Sequence, residues 1–134
     1  QRTLRTHLGA AAVLGTDEVS KADFEACTHA HLEGYMLFNY DLAIKTLHAA
    51  KEAGCIVSLD LAAFEVVQAN SEVLAEILDQ YVDMVFANED EAKAWCGSED
   101  PQVALDSLSK YCDVVAVKLG PEGAWVRKSN SRIT

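Results

Sequence analysis

The chain has 134 residues, 50% of them hydrophobic, which is enough to bury a sizeable core and too apolar for a disordered segment. Eleven Lys and Arg against 21 Asp and Glu leave a net charge of −10, a field that repels phosphate backbones and anionic membrane surfaces and argues against nucleic-acid and membrane partners. No apolar run approaches the roughly 20 residues of a membrane helix, and Gln1-Arg2-Thr3-Leu4 opens no signal-peptide stretch, so a soluble, cytoplasmic protein is expected.

In chain order, Arg2 to Leu14 is a half-apolar opening segment without an obvious cap. Ala30 to Tyr35 reads as the first strand. Asp41 is placed to cap a helix that carries Ala43, Leu47 and Ala50 on one stripe and stops at Gly54. Cys55 to Leu59 is a second strand, followed by a helix capped by Ser71 with Val73, Leu74, Ile77 and Leu78 on its apolar face. Met84 to Ala87 is a third strand. Glu89 to Cys96 follows as a short helix with an acidic first turn, and Pro101 opens another running to about Lys110. Val114 to Leu119 is a fourth strand, from which Gly120-Pro121-Glu122-Gly123 turns the chain back into Ala124 to Arg127.

Short β-rich runs alternating with helical spacing predict an α/β fold with a parallel sheet, its strands covered on both faces. There is no internal repeat, low-complexity tract or linker, so residues 1–134 are expected to belong to one domain, incomplete at both ends.

The four cysteines, Cys27, Cys55, Cys96 and Cys112, form no CxxC pair and share no zinc-type spacing with histidine, which fits free thiols in a reducing compartment. His7, His29, His31 and His48 make no HExxH, and neither a GxSxG elbow, a GxGxxG nor a GxxxxGK[ST] occurs. His29 and His31 point the same way on a strand, where a polar face residue is the plainer reading than a metal ligand. Trp95 and Trp125 read as packing residues, since no basic residues interleave with them.

In an open parallel sheet, ligands bind beyond the carboxyl ends of the strands. Those ends are polar here: Glu33-Gly34, Asp60, Asn88 to Glu91, and Lys118 to Gly123. The Asn88-Glu89-Asp90-Glu91 turn is explained either by capping and the helix dipole or by a carboxylate supporting Mg2+ through waters. The Gly120 to Gly123 turn is a hairpin by its residue types, and its glycines also allow a flat or phosphorylated ligand to approach the backbone. Asp60 ending a strand, with Lys118, also suits a receiver-type phosphorelay domain, but the acidic pair after a first strand is missing because Asp17-Glu18 follows Gly15-Thr16.

Read together, these strand ends resemble the PfkB family of carbohydrate and nucleoside kinases, over nearly the whole chain. Asn88-Glu89-Asp90-Glu91 is similar to the family's Asn-x-x-Glu motif, and Lys118-Leu119-Gly120-Pro121-Glu122-Gly123 to its nucleotide loop. His31-Leu32-Glu33-Gly34-Tyr35 looks like an earlier strand end, and Arg2 to Ala10 like a strand before the first crossover. The resemblance implies a three-layer α/β/α, ribokinase-like fold and transfer of the γ-phosphoryl group of ATP, with Mg2+, to a hydroxyl of a sugar, or alternatively of an adenosine-type nucleoside. A non-catalytic binding or scaffold relative is the competing implication. Asn88, Lys118, Gly120 and Gly123 would border the nucleotide, Glu91 would serve the metal, and Glu33 and Asp60 the substrate. Many relatives carry Thr at the position of Lys118. The family's catalytic Gly-Ala-Gly-Asp segment does not occur in these residues, so this polypeptide alone is expected to be inactive. A homodimer is possible from an exposed sheet edge.

Overall fold

A computed structural model describes residues 9–128. Its regular elements are β1 (His29–Glu33), α1 (Tyr40–Glu52), β2 (Ile56–Asp60), α2 (Phe64–Ala69), α3 (Ser71–Tyr81), β3 (Met84–Asn88), α4 (Glu89–Cys96), α5 (Pro101–Leu108), β4 (Val114–Lys118) and β5 (Ala124–Lys128). Short 3-10 turns lie at Gly9–Val13, Thr16–Glu18, Lys21–Asp23, Gly34–Phe38 and Gly120–Glu122. The strands form one sheet in the order β1-β2-β3-β4-β5, with β1 to β4 parallel and β5 returning antiparallel to β4. This is the mainly parallel α/β architecture anticipated.

The helices begin and end for local reasons. Asn70, not Ser71, stands at the N-cap of α3, and its side chain caps nothing; its Nδ2 donates back to the Val66 carbonyl of α2. Asp41 likewise sits inside the first turn of α1 rather than at its cap. Asp100 caps α5 by accepting from the Gln102 amide, with Pro101 at the first helical position, where a missing N–H costs nothing. Helix α2 was not expected, because Ala63 at its cap has no side-chain acceptor and the segment is β-branched.

One face of the sheet is dry. Ala30, Leu32, Val57, Leu59, Val85, Ala87, Val115 and Val117 alternate along β1 to β4 and are all buried. They pack with Leu47 of α1, Val66 of α2, Leu74, Ile77 and Leu78 of α3, Ala92 of α4 and Leu108 of α5 in one cluster. Burying a side chain of this size is worth about 1.5–3 kcal/mol. Among the described residues the helices cover this face, while on the other Ala116 is buried and Ile56 and Val126 remain exposed. The described part therefore supplies two of the three layers. The Arg2 to Ala10 segment lies mostly outside the described residues, and its last two, Gly9 and Ala10, belong to a 3-10 turn.

The two ends of the sheet differ. At the amino end of the strands, Asp83 takes Lys51 Nζ on both oxygens at 2.9 Å and the Val57 amide at 2.7 Å, joining α1, β2 and the approach to β3. At the carboxyl end the polar residues collect.

Candidate active site

Register decides which side chains share the carboxyl rim. Glu33 pairs with Asp60, Asp60 with Phe86, and Asn88 with Lys118. Side chains alternate along a strand, so Glu33, Asp60, Asn88 and Lys118 all point to the face opposite the dry core. Four positions spread over 86 residues of sequence thus form one polar row.

Asn88 and Glu91 are locked to each other. Asn88 Oδ1 accepts the Glu91 amide at 2.9 Å, Glu91 Oε2 accepts the Asn88 amide at 2.8 Å, and Glu91 Oε1 accepts Asn88 Nδ2 at 2.7 Å. This is a reciprocal capping box at the start of α4, so the capping reading of the motif is realised in full. Glu91 is nonetheless unusual: it is 1% exposed, one of two buried polar residues among those described. Burial pushes its carboxyl above the ordinary range, opposed by the hydrogen bond from the Asn88 backbone; Asp60 nearby raises it further and Lys118 lowers it. A single electrostatic neighbourhood therefore contains Asp60, Glu91 and Lys118.

Lys118 Nζ donates to Asp60 Oδ2 at 2.6 Å, a contact between residues 58 apart in the chain. Asp60 Oδ1 accepts the Ala62 amide at 2.9 Å. Ala62 has φ 66, a left-handed conformation that costs an alanine about 1–2 kcal/mol. Strain of this kind persists only where its surroundings enforce it and gathers at ligand sites. Gly34 presses on the same turn: a Cβ there would come within 2.7 Å of the Leu61 carbonyl oxygen and 2.9 Å of that of Asp60. The sequence marks Gly34 only as part of a polar strand end and Ala62 not at all, although a glycine directly after a strand end is a signal of close backbone approach.

The turn after β4 brings Gly120 and Gly123 beside Lys118. Their φ values, 51 and 96, explain the glycines by backbone geometry, and the Leu119 amide closes the turn on the Gly123 carbonyl at 2.7 Å. A Cβ at either would meet nothing within 4 Å, so both border open space. Glu33 lies at the far end of the row, well exposed, with His31 Nε2 4.0 Å away. His31 Nδ1 meets Ser58 Oγ at 2.8 Å, which makes it a satisfied strand-face residue. Trp95 packs edge-on against Tyr111 and donates to Ser107, as a packing residue does.

Among the described residues no three His, Cys, Asp or Glu side chains are grouped to cage a metal ion. The donors at the rim are hard oxygens, and both Glu91 oxygens already accept one hydrogen bond while keeping a lone-pair direction each. That donor set does not suit an all-protein cage. It does suit Mg2+, which keeps several waters and is held through one or two carboxylates and substrate phosphates.

Comparison with known proteins places this rim in context. The segment is 30% identical over 86 residues to the guanosine-inosine kinase of Escherichia coli strain K12, a stretch that is 64% of this chain and 20% of that relative. Its fold matches adenosine kinase from Sinorhizobium meliloti with a TM-score of 0.79 and 27% identity, covering 90% of this chain and 38% of that one. An Escherichia coli protein described as a candidate ribokinase II, solved with ATP and Mg2+, shares the fold at a TM-score of 0.75 and 24% identity, over 91% of this chain and 42% of that one. The chain thus spans a fifth of the curated relative and about two fifths of the structural ones. The model of the pfkB family of carbohydrate kinases matches residues 1–133, and with its Asn-x-x-Glu capping box and glycine turn on one rim, the chain belongs to that family.

Proposed function

We propose that the protein is an ATP-dependent small-molecule kinase whose acceptor hydroxyl is carried by the ribose of a purine nucleoside. The observation that carries the kinase reading is the rim itself. A buried carboxylate, an ammonium and a glycine turn meet at the carboxyl ends of parallel strands in a pfkB-family chain. In the reaction, the acceptor oxygen forms a bond to the γ-phosphorus, the bond from that phosphorus to the β–γ bridging oxygen breaks, and ADP leaves with the electron pair. The hydroxyl proton goes to a base, which the family resemblance puts on the aspartate of a Gly-Ala-Gly-Asp segment absent from these 134 residues.

Such transfer relies on positioning and on neutralising charge more than on covalent chemistry. Asn88 and Lys118 border the phosphates, and Gly120 and Gly123 let the nucleotide lie against backbone. Glu91, fixed by Asn88, would hold a hydrated Mg2+, which would supply charge neutralisation at the triphosphate. Glu33 faces the acceptor end of the row.

The purine nucleoside is favoured by the two relatives above whose names specify guanosine-inosine and adenosine. A free sugar is the second reading, from the family's description as carbohydrate kinases. The deciding experiment gives the full-length protein ATP and Mg2+ with guanosine, inosine, adenosine, ribose and fructose in turn, and follows ADP release. Turnover with a purine nucleoside is expected; turnover with only the free sugars would reassign the acceptor, and none with any would argue for a binding protein.

A further inference from the structure

We infer that Asp60 is a positioning residue, which accepts from Lys118 with one oxygen and from the Ala62 amide with the other and so fixes the ammonium over the carboxyl end of β3. The inference rests on the kinase reading and adds to it.

The geometry is specific. Asp60 ends β2 and Lys118 ends β4, with β3 between them. Adjacent strands lie about 4.8 Å apart, so the two backbones stand roughly twice that distance from each other. A hydrogen bond of 2.6 Å between the side chains therefore crosses over β3. Because Asp60 is level with Phe86 while Lys118 is level with Asn88, the bridge runs diagonally beside the Asn88 cap. The ammonium is thus brought to the strand whose end begins the Asn-x-x-Glu motif.

Asp60 is itself immobilised. Its second oxygen is committed to Ala62, whose left-handed backbone needs an external hold, and Gly34 abuts the same turn so closely that no side chain fits between. A carboxylate seated on a rigid turn holds a flexible lysine in place better than a free one would. Lysine carries a large rotamer entropy, and an ammonium held before the ligand arrives has already lost it. One of its three donors is spent on Asp60, leaving two for anionic oxygens, and 45% exposure keeps the side chain within reach of solvent and ligand.

Direct contact of Asp60 with the acceptor is the alternative, and steady-state kinetics separate the two. The full-length protein is compared with D60N, K118M, the double variant and D60E. Asparagine keeps an oxygen for the Ala62 amide while giving up the charge that holds Lys118. D60N is expected to lower kcat/KM for ATP about tenfold with the acceptor KM changed less than about twofold, D60E to recover part of the loss, and D60N to add less than about threefold in the K118M background. A rise confined to the acceptor KM, or effects of the two substitutions that simply multiply, would overturn the inference. Turnover by D60N indistinguishable from wild type would overturn it alone, whereas a wild-type protein that neither binds nor turns over ATP overturns the kinase reading as well. Should D60N fail to fold, D60S, whose hydroxyl oxygen also accepts from a nearby amide, repeats the cycle with the same expected and overturning results.

Discussion

Burial makes the ionised form of Glu91 the less favoured one. Burial lifts its carboxyl above the ordinary value of 4.5, so the folded chain binds that proton more tightly than the unfolded chain does. The stability belonging to the proton is complete below the unfolded-state pKa and disappears as pH rises through the folded-state value. Glu91→Gln stays neutral throughout and keeps an oxygen for the Asn88 amide. Its stability relative to wild type should therefore improve as pH rises from the acid side through the raised Glu91 titration, as urea midpoints measured in chelator would register. The opposite trend would show that Asn88 and Lys118 outweigh burial. In activity the same substitution should be harmful, because the neutral amide no longer attracts a hydrated cation.

The junctions between elements set the next level. At the end of β1, Gly34 touches the β2 turn, and an added Cβ would meet backbone atoms at under 3.0 Å, which cannot rotate away. At the end of α4, Gly97 has φ 73 but open space around the missing Cβ. Gly97→Ala should cost only its conformational penalty, about 1 kcal/mol. Gly34→Ala should cost about 1–3 kcal/mol as overpacking and should also raise the KM for ATP by shifting the Asp60 turn. Thermal midpoints of the two variants, with Gly97→Ala as the milder, check this; equal losses would mean that the β1–β2 junction yields. The contrast also shows what a sequence can convey. The apolar runs located every strand to within a residue or two, because β1 to β4 bury residues against helices and β5 follows directly from the glycine turn, and the spacing Asn88 to Glu91 marked the start of α4 because a capping box is local. Asp60 and Lys118 came together in the sequence only through the receiver-type alternative, and neither their direct bridge nor the Gly34 contact was legible as geometry, since both depend on the register of strands distant in sequence. Helix α2 went unread because it starts without a cap and is stabilised by burying Val66 and Val67.

Across the whole molecule, an aspartate–lysine pair sits at each end of the sheet, and the two pairs are built for different tasks. Asp83 binds Lys51 with both oxygens, takes the Val57 amide, and through its own backbone pairs with Val57 and Val114. It ties α1, β2, β3 and β4 together, with its side chain directed to protein groups. Asp60 instead joins two strands through a lysine that remains 45% exposed, on a strained turn facing the polar row. A hydrogen bond to a charged group contributes about 1.5–3 kcal/mol, so Asp83→Asn, which weakens the Lys51 pair and the Val57 bond, should lower stability by about 2 kcal/mol. The kinetic constants should stay near wild type, because the sheet's amino end lies a full strand length from the rim. Asp60→Asn also weakens a hydrogen bond to a charged group and should lower stability comparably, but unlike Asp83→Asn it should reduce kcat/KM for ATP. Measuring both quantities for both variants in the full-length protein tests this division: if Asp83→Asn changes the ATP kinetics as strongly as Asp60→Asn, the two ends are coupled through the parallel strands and the rim is not an independent site.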